Sequence, residues 1–144
     1  MEAGFEVVEH TADVRVIAVA PTLAELFEQA ARGLYAVMAP LEEITERESR
    51  TIEAGAATPE RLLVTWLLEL LFLTESEGLL FSRFAVELTR GRPTEGVSLR
   101  ATAWGEPIDP RRHELGPEVK AVTRHQLKVT EFGGGYRVAI VFDI

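Results

Sequence analysis

Residues 5–8 form a short apolar run, and residues 14–20 a second in which Val14, Val16 and Ala18 alternate with Arg15 and Ile17. Alternation with period two marks a strand with one face on a core, so both runs read as strands. The polar segment Glu9-His10-Thr11-Ala12-Asp13 joins them. The period then changes: Leu23, Leu26, Phe27, Ala30, Leu34 and Val37 recur at helical spacing. Thr22 precedes them with Glu25 three residues on, a capping box that opens this helix, and Pro40 closes it.

A third strand is expected over 46–53, mostly polar and therefore at a sheet edge. Thr58-Pro59-Glu60 starts a second helix, with Thr58 as cap and Pro59 in its first turn. Leu62, Leu63, Trp66, Leu67, Leu70, Leu71 and Leu73 predict that this helix is heavily buried, and Glu77-Gly78 ends it. Four strands follow, over 79–89, 97–104, 119–130 and 136–144. Gly91-Arg92-Pro93-Thr94-Glu95-Gly96 and Gly133-Gly134-Gly135 serve as hairpin connections. Residues 105–118, with three prolines and two glycines, read as a surface loop. This order predicts an α+β fold: a single compact domain over residues 1–144, with two α-helices packed on a mostly antiparallel or mixed β-sheet of about six or seven strands.

A chain of 144 residues can bury a sizeable core. It has no cysteine, which excludes disulfides and thiolate zinc sites. No apolar run is long enough to span a bilayer and no secretory pattern opens the chain, so a cytoplasmic location is expected. The net charge of −8 argues against non-specific grip on nucleic acid.

The acidic residues are unevenly chosen. Aspartate stands only at positions 13, 109 and 143; every other acidic residue is glutamate. The prolines around Asp109 explain it as a turn residue. Asp13 and Asp143 sit where strands should end. Asp143 lies on a strand that is apolar on both faces, and so central, and the carboxylate of Ile144 is one residue away. Carboxylates this close repel unless a cation or proton intervenes. Hard oxygen ligands suit calcium, magnesium or manganese rather than zinc. Two readings stay open here: a cation site built from Asp13, Asp143 and Ile144, or a solvated chain end with Asp13 in a turn. His10 in the same connection is either a ligand or acid–base group, or a partner of neighbouring backbone.

Along 119–130, Val119, Ala121, Thr123, His125, Leu127 and Val129 share one face, which makes His125 a core histidine. Lys120, Val122, Arg124, Gln126 and Lys128 form a basic opposite face, either solvated or facing the carboxylates or a phosphate-bearing partner. Pro110-Arg111-Arg112-His113 is a basic cluster in the long loop, by default a solvated surface cluster and alternatively a contact site. Nucleophile chemistry finds no support: there is no Gly-x-Ser-x-Gly elbow, no paired metalloprotease histidines and no phosphate loop.

Several of these stretches together resemble the archease family. They are Glu9-His10-Thr11-Ala12-Asp13-Val14; Thr22-Leu23-Ala24-Glu25-Leu26-Phe27; Leu62-Leu63 with Trp66-Leu67 and Glu69-Leu70-Leu71; Glu118-Val119-Lys120-Ala121-Val122-Thr123 with His125; and Phe142-Asp143-Ile144. Archeases are small accessory proteins of RtcB-type RNA ligases, which act in tRNA splicing and RNA repair. The resemblance implies a non-enzymatic activator that promotes GTP-dependent guanylylation of the ligase and its multiple turnover. It also implies a metal site, usually assigned to calcium, on Asp13, Asp143 and Ile144. His10 and Lys120 are further candidate residues, without assigned roles. A chaperone or specificity role toward a tRNA methyltransferase is attached to the same family, and a stand-alone metal-dependent phosphohydrolase is the third reading. Arg124 departs from the family, where an aromatic residue commonly precedes the late histidine.

Overall fold

Strand pairing in the computed structural model is antiparallel throughout the described residues, 1–92 and 94–144. The strands sort into two sheets rather than one. In the first, β1 (Gly4–Glu9), β2 (Asp13–Ala20), β8 (Gly135–Asp143) and β6 (Ala121–Thr123) lie in that order, and β7 (Thr130–Phe132) also pairs with β8. In the second, β5 (Val97–Pro107) lies between β3 (Glu48–Ala56) and β4 (Leu79–Arg90). The expected α+β class, two helices and edge position of the third strand all hold. The sheet divides because α1 (Leu23–Met38) packs on β2 from one side and β4 from the other. Leu26, Phe27, Ala30, Ala31, Leu34 and Tyr35 of α1 are fully buried, as a helix between two layers must be.

Both expected caps form. The Thr22 hydroxyl accepts from the Glu25 N–H at 3.2 Å, and Thr58 opens α2 (Pro59–Glu77) by accepting from the Arg61 N–H at 3.2 Å. Such a cap contributes about 1 kcal/mol. Polar atoms then link the two helices. Trp66 Nε1 donates to the Phe27 carbonyl at 3.0 Å, and the Tyr35 hydroxyl donates to the Leu70 carbonyl at 3.0 Å. Burial pushes the Tyr35 hydroxyl well above its ordinary pKa, against the lowering effect of its bond to Thr74, so the donor stays in place. Gly33 lets α1 settle on β2, since a Cβ there would stand 2.3 Å from Val16 Cγ1.

The strand expected over 119–130 is largely absent. Only Ala121–Thr123 and Thr130–Phe132 pair with β8. Between them the chain turns: the Leu127 N–H bonds the Arg124 carbonyl at 3.3 Å, and Gln126 takes a left-handed φ of 55°. Extended backbone does not continue through such a residue. The alternating faces expected there therefore do not exist beyond Thr123, and His125 is exposed rather than in the core. The glycine hairpin does form: Phe132 pairs with Gly135 around Gly133 and Gly134, both at positive φ. Of the connection between β4 and β5, Pro93 lies outside the described residues.

The loop after β5 also differs from expectation. His113 is only 3% exposed, not a member of a solvated cluster. It lies against Glu106, 1% exposed, whose Oε2 accepts from the Thr45 N–H at 2.7 Å and stands 3.0 Å from His113 Nε2. The Asp109 N–H donates to His113 Nδ1 at 2.9 Å. Nδ1 is thus the lone-pair nitrogen and Nε2 carries the proton that Glu106 accepts. The Arg112 guanidinium pairs with Glu106 Oε1. Burial alone would raise the Glu106 carboxyl, but the Thr45 N–H, Arg112 and His113 outweigh it and hold it well below the usual carboxylate range.

Replacing that charge tests how far the loop depends on it. Glu106→Gln keeps the shape and leaves the Arg112 and His113 donors without a carboxylate, so urea unfolding at neutral pH should show a loss of about 2–4 kcal/mol. A carboxyl with a depressed folded pKa contributes stability that is complete above its unfolded value, about 4.3, and lost as pH falls through the folded one. The gap between wild type and Glu106→Gln should accordingly be widest above about pH 5 and shrink on acidification below about 4.3.

Candidate functional site

The register of β2 against β8 fixes the end of the first sheet. Asp13 pairs with Asp143, Val14 with Phe142, and the ladder continues to Ala20 opposite Tyr136. Val14, Val16 and Ala18 on β2, with Val138, Ile140 and Phe142 on β8, point into the core. Period two then sends Asp13 and Asp143 to the outer face, directly opposite one another. Opposed positions in an antiparallel pair hold their Cβ atoms about 4.5–5.5 Å apart, and like charges there cost stability. β6 flanks β8 on its other side, with Ala121 opposite Asp143. The last strand is therefore central, as its two apolar faces implied.

Three backbone hydrogen bonds gather the remaining candidates at this end. The His10 N–H donates to the Asp13 carbonyl at 3.0 Å and closes the turn from β1 to β2. The Lys120 N–H donates to the Asp143 carbonyl at 2.8 Å, and the Ile144 N–H reaches the Ala12 carbonyl at 3.5 Å. His10, Asp13, Lys120, Asp143 and Ile144, spread over nearly the whole sequence, thus meet in one place. Asp13 and Ile144 are half-buried, while His10, Lys120 and Asp143 are exposed.

Electrostatically the pair is left without a cationic partner. The salt bridges among the described residues involve neither Asp13 nor Asp143. Arg15, two residues along β2 on the same outer face, and Lys120 supply positive charge nearby without pairing to either carboxylate. No group of three or more His, Cys, Asp or Glu side chains suited to a metal occurs among the described residues. The two carboxylates at this end are hard oxygen donors, which match calcium or magnesium chemistry better than zinc.

Other singled-out residues lie elsewhere. Asp109 is the turn residue its prolines implied: its Oδ1 accepts from the Arg111 N–H at 3.0 Å and its carbonyl from the Arg112 N–H at 3.0 Å. Arg124 and His125 stand on the exposed turn after β6. One neighbouring feature escaped the sequence reading. An apolar cavity of about 440 Å³ opens beside Lys120, with Leu68 and Phe72 of α2 on its wall. Its sequence signal was present as Val64, Leu68 and Phe72, a second apolar stripe at four-residue spacing on a helix already apolar on its core side.

Among the described residues, no helix is long and apolar enough to cross a membrane. Comparison with known proteins gives a consistent result. Residues 5–144 match the Archease protein family. The chain is 37% identical over 140 residues to the protein archease of Methanosarcina mazei, covering 97% of this chain and 95% of that one. It is 41% identical over 136 residues to the protein archease of Aeropyrum pernix, covering 94% of each. Its fold is similar to the solution structure of Methanobacterium thermoautotrophicum protein 1598, with a TM-score of 0.85, 35% identity, and coverage of 98% of this chain and 99% of that one. The profile match over almost the full length and the shared arrangement of helices and sheets together show that this chain belongs to the archease family.

Proposed function

We propose that this protein is a non-enzymatic accessory factor of an RtcB-type RNA ligase, promoting GTP-dependent guanylylation of the ligase and its repeated turnover in tRNA splicing or RNA repair. One observation carries the reading: in a chain of the archease family, Asp13 and Asp143 stand opposite each other at an exposed sheet end with no paired cation among the described residues. Among the described residues no nucleophile and base are hydrogen-bonded to each other at that end, which favours an accessory role over a stand-alone phosphohydrolase.

The two carboxylates fit a hard divalent cation, calcium first. Asp13 and Asp143 would hold it with an oxygen of Ile144, and because calcium takes six to eight oxygens, positions remain for other oxygen donors. A bound cation would supply charge compensation to phosphate oxygens. The chain's own part is to keep two carboxylates fixed by the ladder, so that no rearrangement is needed when a cation or a basic surface arrives. The net charge of −8 steers the protein toward a positively charged, RNA-binding surface. Lys120 is anchored at the same end through its backbone N–H, and its side chain is exposed.

The deciding measurement is a guanylylation time course with the ligase of the same organism, GTP and manganese, with and without this protein. Faster guanylylation and more than one turnover are expected only in its presence; no change in either rejects the reading. Asp143→Ala should keep the melting temperature within a few degrees and lose the stimulation. Calcium titration followed by calorimetry should give a binding isotherm for wild type and none for Asp13→Asn. An unaltered isotherm in that variant would place the cation elsewhere.

A further inference from the structure

The cavity beside Lys120 has the features of a preformed groove. One wall is the outer face of α2. Its core face, with Leu63, Trp66, Leu67 and Leu70, is fully buried, yet Leu68 is 42% and Phe72 62% exposed. Val64, one turn before Leu68, is only 3% exposed, so cover over this stripe stops where the groove begins. The opposite wall is the segment from Leu115 to Lys120. Leu115 is 46% exposed although both neighbours are tied down: the Glu114 N–H donates to Glu43 Oε1 at 2.8 Å, and the Gly116 N–H to the Met38 carbonyl at 2.7 Å. Its outward position is therefore built in by anchored backbone. Single exposed apolar residues are ordinary, but three around one concavity of about 440 Å³ mark a contact site.

The groove is continuous with the carboxylate end. Lys120 lines the groove, and its backbone N–H bonds the Asp143 carbonyl. Its charged rim consists of Glu75 and Glu118 against Lys120 alone, so the rim shares the acidic sign of the whole chain. We propose that this groove docks an apolar side chain flanked by lysine or arginine on the ligase, alongside the carboxylate end. This rests on the accessory function proposed above and adds how the partner is held. A second copy of this chain is the poorer occupant, because two chains of charge −8 would bring rims of like sign together. The groove supplies affinity, and the carboxylates supply activation; the two are separable.

Titrating each variant into the ligase guanylylation assay separates them. Leu68→Gln and Phe72→Gln replace exposed residues with a good helix former, and Leu115→Gln does the same on the opposite wall; circular dichroism and melting check that each still folds. Each should raise the concentration for half-maximal stimulation by about tenfold while keeping the plateau rate. Glu75→Lys and Glu118→Lys should raise it too, with an effect that fades at high salt. Asp143→Ala should show the opposite split, a lost plateau with retained competition against wild type. Wild-type half-maximal concentrations in all three glutamine variants would overturn the docking proposal while leaving the accessory function standing. A wild-type protein that fails to stimulate the ligase would overturn both. Sedimentation showing a wild-type dimer that the Phe72→Gln variant abolishes would assign the groove to a second copy and overturn it as well.

Discussion

The register of β2 against β8 is the constraint from which the rest of the site follows. Val14, Val16 and Ala18 must face the core, and so must Ile140 and Phe142. A slip of one residue in either strand would turn that strand's whole apolar set to solvent, so the apolar pattern fixes the ladder firmly. The same ladder then places Asp13 opposite Asp143 whatever their mutual repulsion. The repulsion of one like-charged pair is small beside the burial of Val14, Val16, Val138, Ile140 and Phe142, each contributing about 1.5–3 kcal/mol. The core thus holds in place an arrangement of charge that would not form by itself.

Local structure was legible in the sequence where a local rule decides it. Both helices start at a threonine whose hydroxyl bonds the third residue on, and both were expected there from the cap residues alone. The glycine hairpin before β8 was legible for the same reason, because positive φ at two successive positions asks for glycine. The stretch after Thr123 was misread because period-two alternation continued through residues that do not extend. Gln126 in a left-handed conformation breaks the strand, and nothing in its side chain announces this. The division into two sheets was not legible either. Strand pairing is a long-range matter, and the wedge between the sheets is α1, a helix whose contacts with both β2 and β4 show only once the partners are known.

The candidate site divides in the same way. Asp13 and Asp143 stood out from composition and strand-end position, and the resemblance to archeases named the same two residues; the ladder brings them together. The ion cluster in the loop after β5 went unseen because the sequence gives no sign that Glu106 turns inward. Its two neighbours, glycine and proline, read as loop, and the histidine seven residues later looked like one more surface charge. Three donors from Thr45, Arg112 and His113 make that burial tolerable, and they come from both sides of the chain's midpoint. A buried carboxylate with several donors is a device that only the assembled fold can supply.

These two acidic features work at opposite ends of the same problem. Glu106 is an inward charge neutralised by the protein's own donors, and it stiffens the loop that runs on to Leu115 and Lys120. Asp13 and Asp143 are outward charges without salt-bridge partners among the described residues, held by a ladder that the core fixes. A loose loop would let Lys120 and the groove wall drift relative to Asp143, but the Glu114, Gly116 and Lys120 N–H bonds fix that wall to the 3₁₀ turn (Leu41–Glu43), to the end of α1 and to β8 in turn. An accessory protein gains from such rigidity, because contacts made on one surface then set where charge is presented on the next. In this chain the groove wall runs from Lys120 straight into β6, which pairs with β8 beside Asp143, and the Lys120 N–H bonds the Asp143 carbonyl, so the charge-presenting edge and the apolar groove share one backbone frame.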